Sequence, residues 1–318
     1  MLNDYIFGNG AELLARCAQH SMSISEVAIR REMEFGGKTR AQVFSQMRRV
    51  RKIMEEAIKN GINSEERAFA NMAGGDAKRI MKMKRRPKPQ RMMSKLSLRA
   101  MAYATATGET NACMGRIAAF PTAGGSGVVP GVVFGLGHEY KLKSELVMRG
   151  LFVASAVGLI IAENATLSAA AGGCQAEVGA AMAMAAAAAT EMRGGSPAAC
   201  LNASALVLKS YLGVACDPLG GLVAVPCVKR NTLGAATSLA SSDLSLAGVQ
   251  SYVPFDEVVE AMYRIGKNMS NTIKETALGG LATTETGLSV RDALGLPRLK
   301  PTESMIEWRP HDAPVNLG

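Results

Sequence analysis

Three cysteines carry the clearest chemical potential in this chain. Cys174 follows a double glycine at the start of a helix-favouring stretch, Cys216 precedes Asp217 and Pro218, and Cys227 follows Pro226. A helix start offers free backbone N–H groups and the positive end of a dipole, which favour a thiolate at Cys174, and the thiolate is the form that ligates metal. Loop positions at Cys216 and Cys227 permit close backbone approach. Three thiolates in an apolar, glycine-lined pocket leave one iron of a cubane cluster without a protein ligand, as a Lewis acid open to substrate. The intervening gaps of 41 and 10 residues match no short CxxC pattern. On spacing alone, cluster ligation and plain buried thiols both stay open, with the second ahead.

Other constellations offer less. Gly124-Gly125-Ser126-Gly127 is not a phosphate loop, because no Gly-Lys-Ser/Thr follows, nor a nucleophile elbow, because Val128 stands where the last glycine belongs. Its N–H groups nevertheless suit a carboxylate. Of the three histidines, His20, His138 and His311, only His138 falls near a candidate site, and packing explains it better than catalysis. A Ser-His-Asp triad has little support.

The elements that must position these residues read as helices. Thr39 and Gln42 form a capping box ahead of Val43, Met47, Val50, Met54 and Ile58, whose spacing predicts an amphipathic helix that ends before Gly61. Further helices are expected over 96–107 and 145–161, with Pro121 to Gly131 as a loop between them. Eight of the ten residues from Ala180 to Ala189 are alanine, which predicts a helix packed closely by its neighbours. Ser196 caps the next helix, with Pro197 at its first position, and that helix is expected to reach Leu212. The last strong helix starts near Pro254, and the tail after Leu294 reads as irregular. With no hairpin signal and no βαβ rhythm, the fold class is all-α. A single catalytic domain is expected over 1–290, followed by a tail over 291–318.

Composition narrows the function classes. With 318 residues and 48% hydrophobic content the chain can bury a large core, so disorder is excluded as the main state. Only six charged side chains lie between Glu163 and Cys227, which marks that stretch as the buried heart. No membrane span and no secretory signal is read, and a cytoplasmic location with free thiols is expected. The net charge of +9 comes wholly from residues 78–99, which hold ten Lys or Arg and no acid. That run fits a nucleic-acid patch, a docking surface for an acidic partner or a solvated connection. The absence of interleaved aromatic residues argues against nucleic acid.

The segments AGGCQAEVGAA from Ala171, CDPLGGLVAVPCVKRN from Cys216 and FPTAGGSGVVPGV from Phe120 together resemble the alpha chain, or catalytic domain, of the iron-sulfur-dependent L-serine dehydratases. Order and cysteine spacing agree. Weaker similarity extends to GGDAKRI from Gly74, NACMGRI from Asn111, IGKNM from Ile265 and KETALGGLA from Lys274, so that it covers residues 10 to 288. The resemblance implies a 4Fe-4S cluster held by Cys174, Cys216 and Cys227, without pyridoxal phosphate. Its fourth iron would take the serine hydroxyl while a base removes the α-proton, and aminoacrylate would go on to pyruvate and ammonia. Thr122, Ala123, Gly124 and Ser126 stand in the loop that faces substrate in the family, Asn111 and Asn164 are supporting amides, and Asp217 orients the Cys216 loop or simply forms a turn. Arg230 and Asn231 follow the third ligand and serve the cluster's electrostatics or a partner interface. Single-chain members fuse a beta domain with a Ser-His-Thr motif ahead of this region, and nothing like it precedes Asn111. A separate beta chain, as αβ or α2β2, is therefore expected.

The sequence departs from the family at several positions. Small residues such as Ala171 ahead of Gly-Gly-Cys point to the two-chain subtype. Ala224 stands where Glu is common, Leu219-Gly220 replaces the usual Val-Ala or Val-Gly, and Cys113 replaces a small residue before Met114. These keep open another amino, hydroxy or thiol acid such as L-threonine or L-cysteine as substrate and a fourth thiol ligand at Cys113, while the basic run over 78–99 keeps open a non-catalytic interaction protein.

Overall fold

The computed structural model describes residues 4–297 and builds them from thirteen α-helices. These are α1 (Gly10–His20), α2 (Ile24–Gly36), α3 (Arg40–Asn63), α4 (Asp76–Arg85), α5 (Lys95–Ala112), α6 (Val128–Glu139) and α7 (Ser144–Asn164), then α8 (Ala169–Gly172), α9 (Ala180–Met192), α10 (Pro197–Lys209), α11 (Cys227–Leu246), α12 (Phe255–Asn268) and α13 (Glu285–Ala293). A single π-turn, Gln175–Gly179, leads into α9. No strand occurs among the described residues, and an isolated parallel bridge joins Cys216 to Lys274. The all-α class expected from the sequence is the observed one.

Helix starts are set by side chains that accept the otherwise unpaired first N–H groups. Asn9, Ser23, Ser94, Ser196 and Thr284 do this for α1, α2, α5, α10 and α13, and the Thr39–Gln42 capping box is present at α3. Helix α4 lacks a cap of its own. Glu109 of α5 supplies it from a distance, its buried carboxylate accepting the Gly74, Asp76 and Ala77 N–H groups at 3.1, 2.7 and 3.3 Å. Asp76 then pairs with Lys229 on α11 and with Arg79. The first half of the basic run is thus a helix anchored on α5 and α11, not a loose connection.

The centre of the core is α9, twelve of whose thirteen residues are buried. It packs against α6, α7, α10 and α11. Alanine suits this place because it forms helix readily and lets four neighbours approach closely. Hydroxyls at the contacts return hydrogen bonds to helix carbonyls, as Ser204 does to Ala183 at 2.8 Å and Ser238 to Met182 at 3.2 Å. Helix α7 is long and apolar enough to cross a membrane by length and composition alone, yet 67% of its most apolar window is buried between α2, α6 and α9.

Several boundaries differ from the expectation, each for a packing reason. Helix α3 does not end before Gly61 but runs through it, because a side chain there would overlap the Ala106 carbonyl of α5. The last four residues of the expected loop at Pro121–Gly131 begin α6, whose Pro130 sits in the first turn, where no N–H is needed. Helix α10 stops at Lys209, short of Leu212, and α13 was not expected at all. The expected irregular tail and His311 lie, from residue 298 onward, outside the described residues.

Gly61→Ala should lower the unfolding free energy by about 2 kcal/mol, because backbone atoms on α5 cannot yield as a side chain would. Urea denaturation checks this, and a change under about 0.5 kcal/mol would refute the close α3–α5 contact.

Candidate functional site

The chain places Cys174 by means of the residue before it. Gly173 has φ +74°, and a side chain there would meet the Met269 sulfur and the Val214 carbonyl. Only glycine adopts this conformation freely, and it turns α8 into the π-turn that opens with Cys174. Cys216 is held as a short strand would be. Its N–H donates to Ile273 and its carbonyl accepts from Glu275, both at 2.8 Å. Cys227 is the first residue of α11, directly after Pro226.

All three thiols are buried, and they influence one another. Burial is the largest cause raising each pKa. Cys174 and Cys227 add to the rise at Cys216, and Cys174 adds to it at Cys227, which is pushed up to about 12. At Cys174 the Arg230 guanidinium and the Val178 N–H oppose burial without overcoming it. The helix start expected to favour a thiolate here is set against burial, which raises the pKa. Among the described residues no three His, Cys, Asp or Glu side chains have the geometry of a single-ion site. An iron-sulfur cluster is bound differently, one thiolate to each corner iron, and three buried thiols in an apolar setting are a donor set that fits it.

Arg230 joins these parts. It donates to the Ala215 carbonyl at 2.7 Å and to the Asp217 carboxylate at 3.0 Å, while lying against Cys174. The other Asp217 oxygen accepts the Leu281 N–H at 2.8 Å. Asp217 thus does more than form a turn, because it fastens Arg230 and the segment 274–282 to the Cys216 loop. Asn231 has a similar role on the other side. It accepts the Gly127 N–H at 2.9 Å and donates to the Gly124 and Cys227 carbonyls at 2.6 and 2.9 Å, which ties the glycine loop to the third cysteine.

In the glycine loop, Ser126 is buried and its hydroxyl donates to the Ala123 carbonyl at 2.8 Å, so it shapes the turn. Thr122 accepts the Gly125 N–H at 3.3 Å, and its own hydroxyl donates to the Glu177 carboxyl. The Ala123 and Gly124 N–H groups find no acceptor among the described residues. Asn111 donates to the Ala123 carbonyl at 3.4 Å and supports the loop from α5. Asn164, in contrast, donates to Gly8 and Ile160 and pins the N-terminal segment.

Sequence reasoning passed over Glu177, Glu275 and Tyr211. Glu177 lies three residues after Cys174, and Gly124 and Gly125 owe their lack of side chains to its closeness. Burial raises its carboxyl above the usual range, Glu275 adds to the rise and the Thr122 hydroxyl opposes it. Its position one turn after Cys174, as one of six charges in the buried stretch, was the available signal. Glu275 had none, because the Cys216–Lys274 bridge brings it in from far along the chain. Tyr211 feels the Cys174 sulfur and Arg230. Cys113 is not part of the group. Its thiol responds to burial, Glu66 and Glu109, and it packs with Ala68, Ala73, Ala224 and Val228. The two departures at 113 and 224 therefore belong to one small apolar cluster.

The family described as serine dehydratase alpha chain matches residues 19–282. The probable L-serine dehydratase alpha chain of Bacillus subtilis is 45% identical over 282 residues, covering 89% of this chain and 93% of the relative. The L-serine dehydratase alpha chain of Peptoniphilus asaccharolyticus is 36% identical over 280 residues, covering 88% and 95%. The L-serine dehydratase TdcG of Escherichia coli is 31% identical over 287 residues, covering 87% of this chain but 62% of the relative.

Asp217→Ala should cost about 3 kcal/mol in urea unfolding, because it strands the Arg230 charge and the Leu281 N–H. A loss below about 1 kcal/mol would show that the pair does not hold the Cys216 loop.

Proposed function

The chain belongs to the serine dehydratase alpha chain family, and from that membership we infer that it is an L-serine dehydratase, a lyase that converts L-serine to pyruvate and ammonia. We further propose that Cys174, Cys216 and Cys227 hold a 4Fe-4S cluster and that pyridoxal phosphate is not used. The observation that carries this proposal is the meeting of three buried thiols with Arg230 beneath a glycine loop. When bound, such a cluster supplies a Lewis-acidic iron for the departing hydroxide.

The chain's own residues do the rest. The Ala123 and Gly124 N–H groups receive the substrate carboxylate at the loop that Asn231 and Asn111 hold in shape, and the Thr122 hydroxyl holds the Glu177 carboxyl beside it. Glu177, buried beside that loop, takes the α-proton. Loss of the α-proton and the β-hydroxyl removes one water and leaves 2-aminoacrylate, which tautomerises to the imine. The imine takes up water and releases pyruvate and ammonia. Arg230 keeps positive charge against Cys174 and so favours the thiolate that ligation needs.

We propose a separate beta chain as partner, in an αβ or α2β2 assembly. Two relatives named as alpha chains match nearly end to end, whereas TdcG carries further sequence outside the match. Six free cysteines suit a reducing, cytoplasmic setting.

The test is anaerobic purification of the chain alone and with its partner, with iron, sulfide and pyruvate measured in the same samples. Iron near the roughly four per chain of a cubane is expected, with strong turnover only in the complex. Cys216→Ala should lose both iron and pyruvate. Glu177→Gln should keep its iron and lose about a hundredfold or more in rate. Full turnover without iron would refute the cluster, and an unchanged rate in Glu177→Gln would refute its role.

A further inference from the structure

A cavity of about 300 Å³ opens between α2, α3 and α7, and no cysteine lines it. That volume is at the lower end of small-ligand pockets. Phe120, Phe152, Val43 and Leu159 give it an apolar wall, and Arg31 and Glu32 bring opposite charges to the same lining.

Arg31 is held in place yet incompletely satisfied. Its guanidinium lies 5.5 Å from the centre of the Phe7 ring and 5.3 Å from that of Phe35, and its side chain is only 13% exposed. The carboxylates nearby are loose partners, Glu32 at 3.4 Å and Glu163 at 3.8 Å, and both approach the terminal nitrogens. The Nε–H is buried away from the cavity and has no hydrogen-bond partner among the described residues. A carboxylate is the acceptor that a guanidinium's planar fork matches best, and the long contacts to Glu32 and Glu163 leave the terminal nitrogens able to take a shorter one. Glu32, adjacent in the lining and half-exposed, is placed to accept an ammonium group. An apolar wall with a cation and an anion side by side describes a ligand with one carboxylate, one ammonium and an apolar side chain.

We propose that this cavity binds an apolar α-amino acid, branched or aromatic, and that occupancy is transmitted to the glycine loop through Phe120. Phe120 lines the cavity and stands two residues before Thr122. A ligand seated against its ring changes how the loop's first residues are held. This second clause rests on the loop being the serine site. The first does not.

The test uses the reconstituted complex and isothermal titration calorimetry with L-leucine and L-phenylalanine. L-serine, isocaproate (the leucine skeleton without its amino group) and isoamylamine (the same skeleton without its carboxylate) are the controls. Saturable binding of one equivalent per alpha chain is expected for the apolar amino acids, with affinity about tenfold or more weaker for either truncated analogue. Arg31→Gln should weaken binding by a similar factor, and Ser155→Leu, which fills the cavity from α7 and leaves Arg31 in place, should abolish it. Pyruvate formation without effector should be unchanged in both variants, and the ligand should alter the rate only where it binds. No heat with either amino acid, equal affinity for isocaproate, or binding untouched by both substitutions would overturn the site. Binding without any effect on rate would overturn the link through Phe120. Failure of the dehydratase reading would appear separately, as absent pyruvate in the unsubstituted complex.

Discussion

The desolvation of three thiols in one place is the constraint on which the rest of this structure depends. Each of Cys174, Cys216 and Cys227 is buried, and burial raises the pKa of each. Arg230 alone does not reverse this. Metal reverses it readily, because a coordinated thiol loses its proton outright and the binding energy becomes folding energy. The surrounding devices serve to keep these sulfurs converged: a left-handed glycine before Cys174, a two-bond clasp on the Cys216 backbone, and an asparagine between Cys227 and the glycine loop.

The alanine helix α9 explains how such a site is kept rigid. A buried helix of small residues lets α6, α7, α10 and α11 stand close around it, so the π-turn and the start of α11 are mounted on packed helices rather than on free loops. Positional precision of this kind is what a reaction needs when the base, the carboxylate donors and the departing hydroxyl must act on one small substrate. The C-terminal segments contribute at a distance. Gly266 and Met269 press on the turn at Gly172 and Gly173, and residues 274–281 close over Cys216 and Asp217.

Much of this was legible in the sequence. The all-α class followed from helical spacing and from caps that the structure reproduces at Thr39 and Ser196. The three cysteines, Asn111 and Thr122 were singled out, and the structure brings the cysteines together and ties Asn111 to the loop. What escaped depends on contacts between distant segments. Gly61 looks like a helix end unless α5 is known to lie against it. The charge state of Cys174 is a balance of local dipole against global burial, and only the dipole is visible locally. Glu275 reaches the site across 58 residues of chain through a single bridge, and Glu109 caps a helix that begins 33 residues before it.

We propose that the three cysteines act as one set that leaves part of a cluster open to substrate. The Mössbauer spectrum of the iron-reconstituted complex is the decisive measurement. Three irons alike and one distinct are expected, with the distinct site alone shifting when L-serine is added. Four equivalent irons that do not respond to L-serine would overturn the proposal.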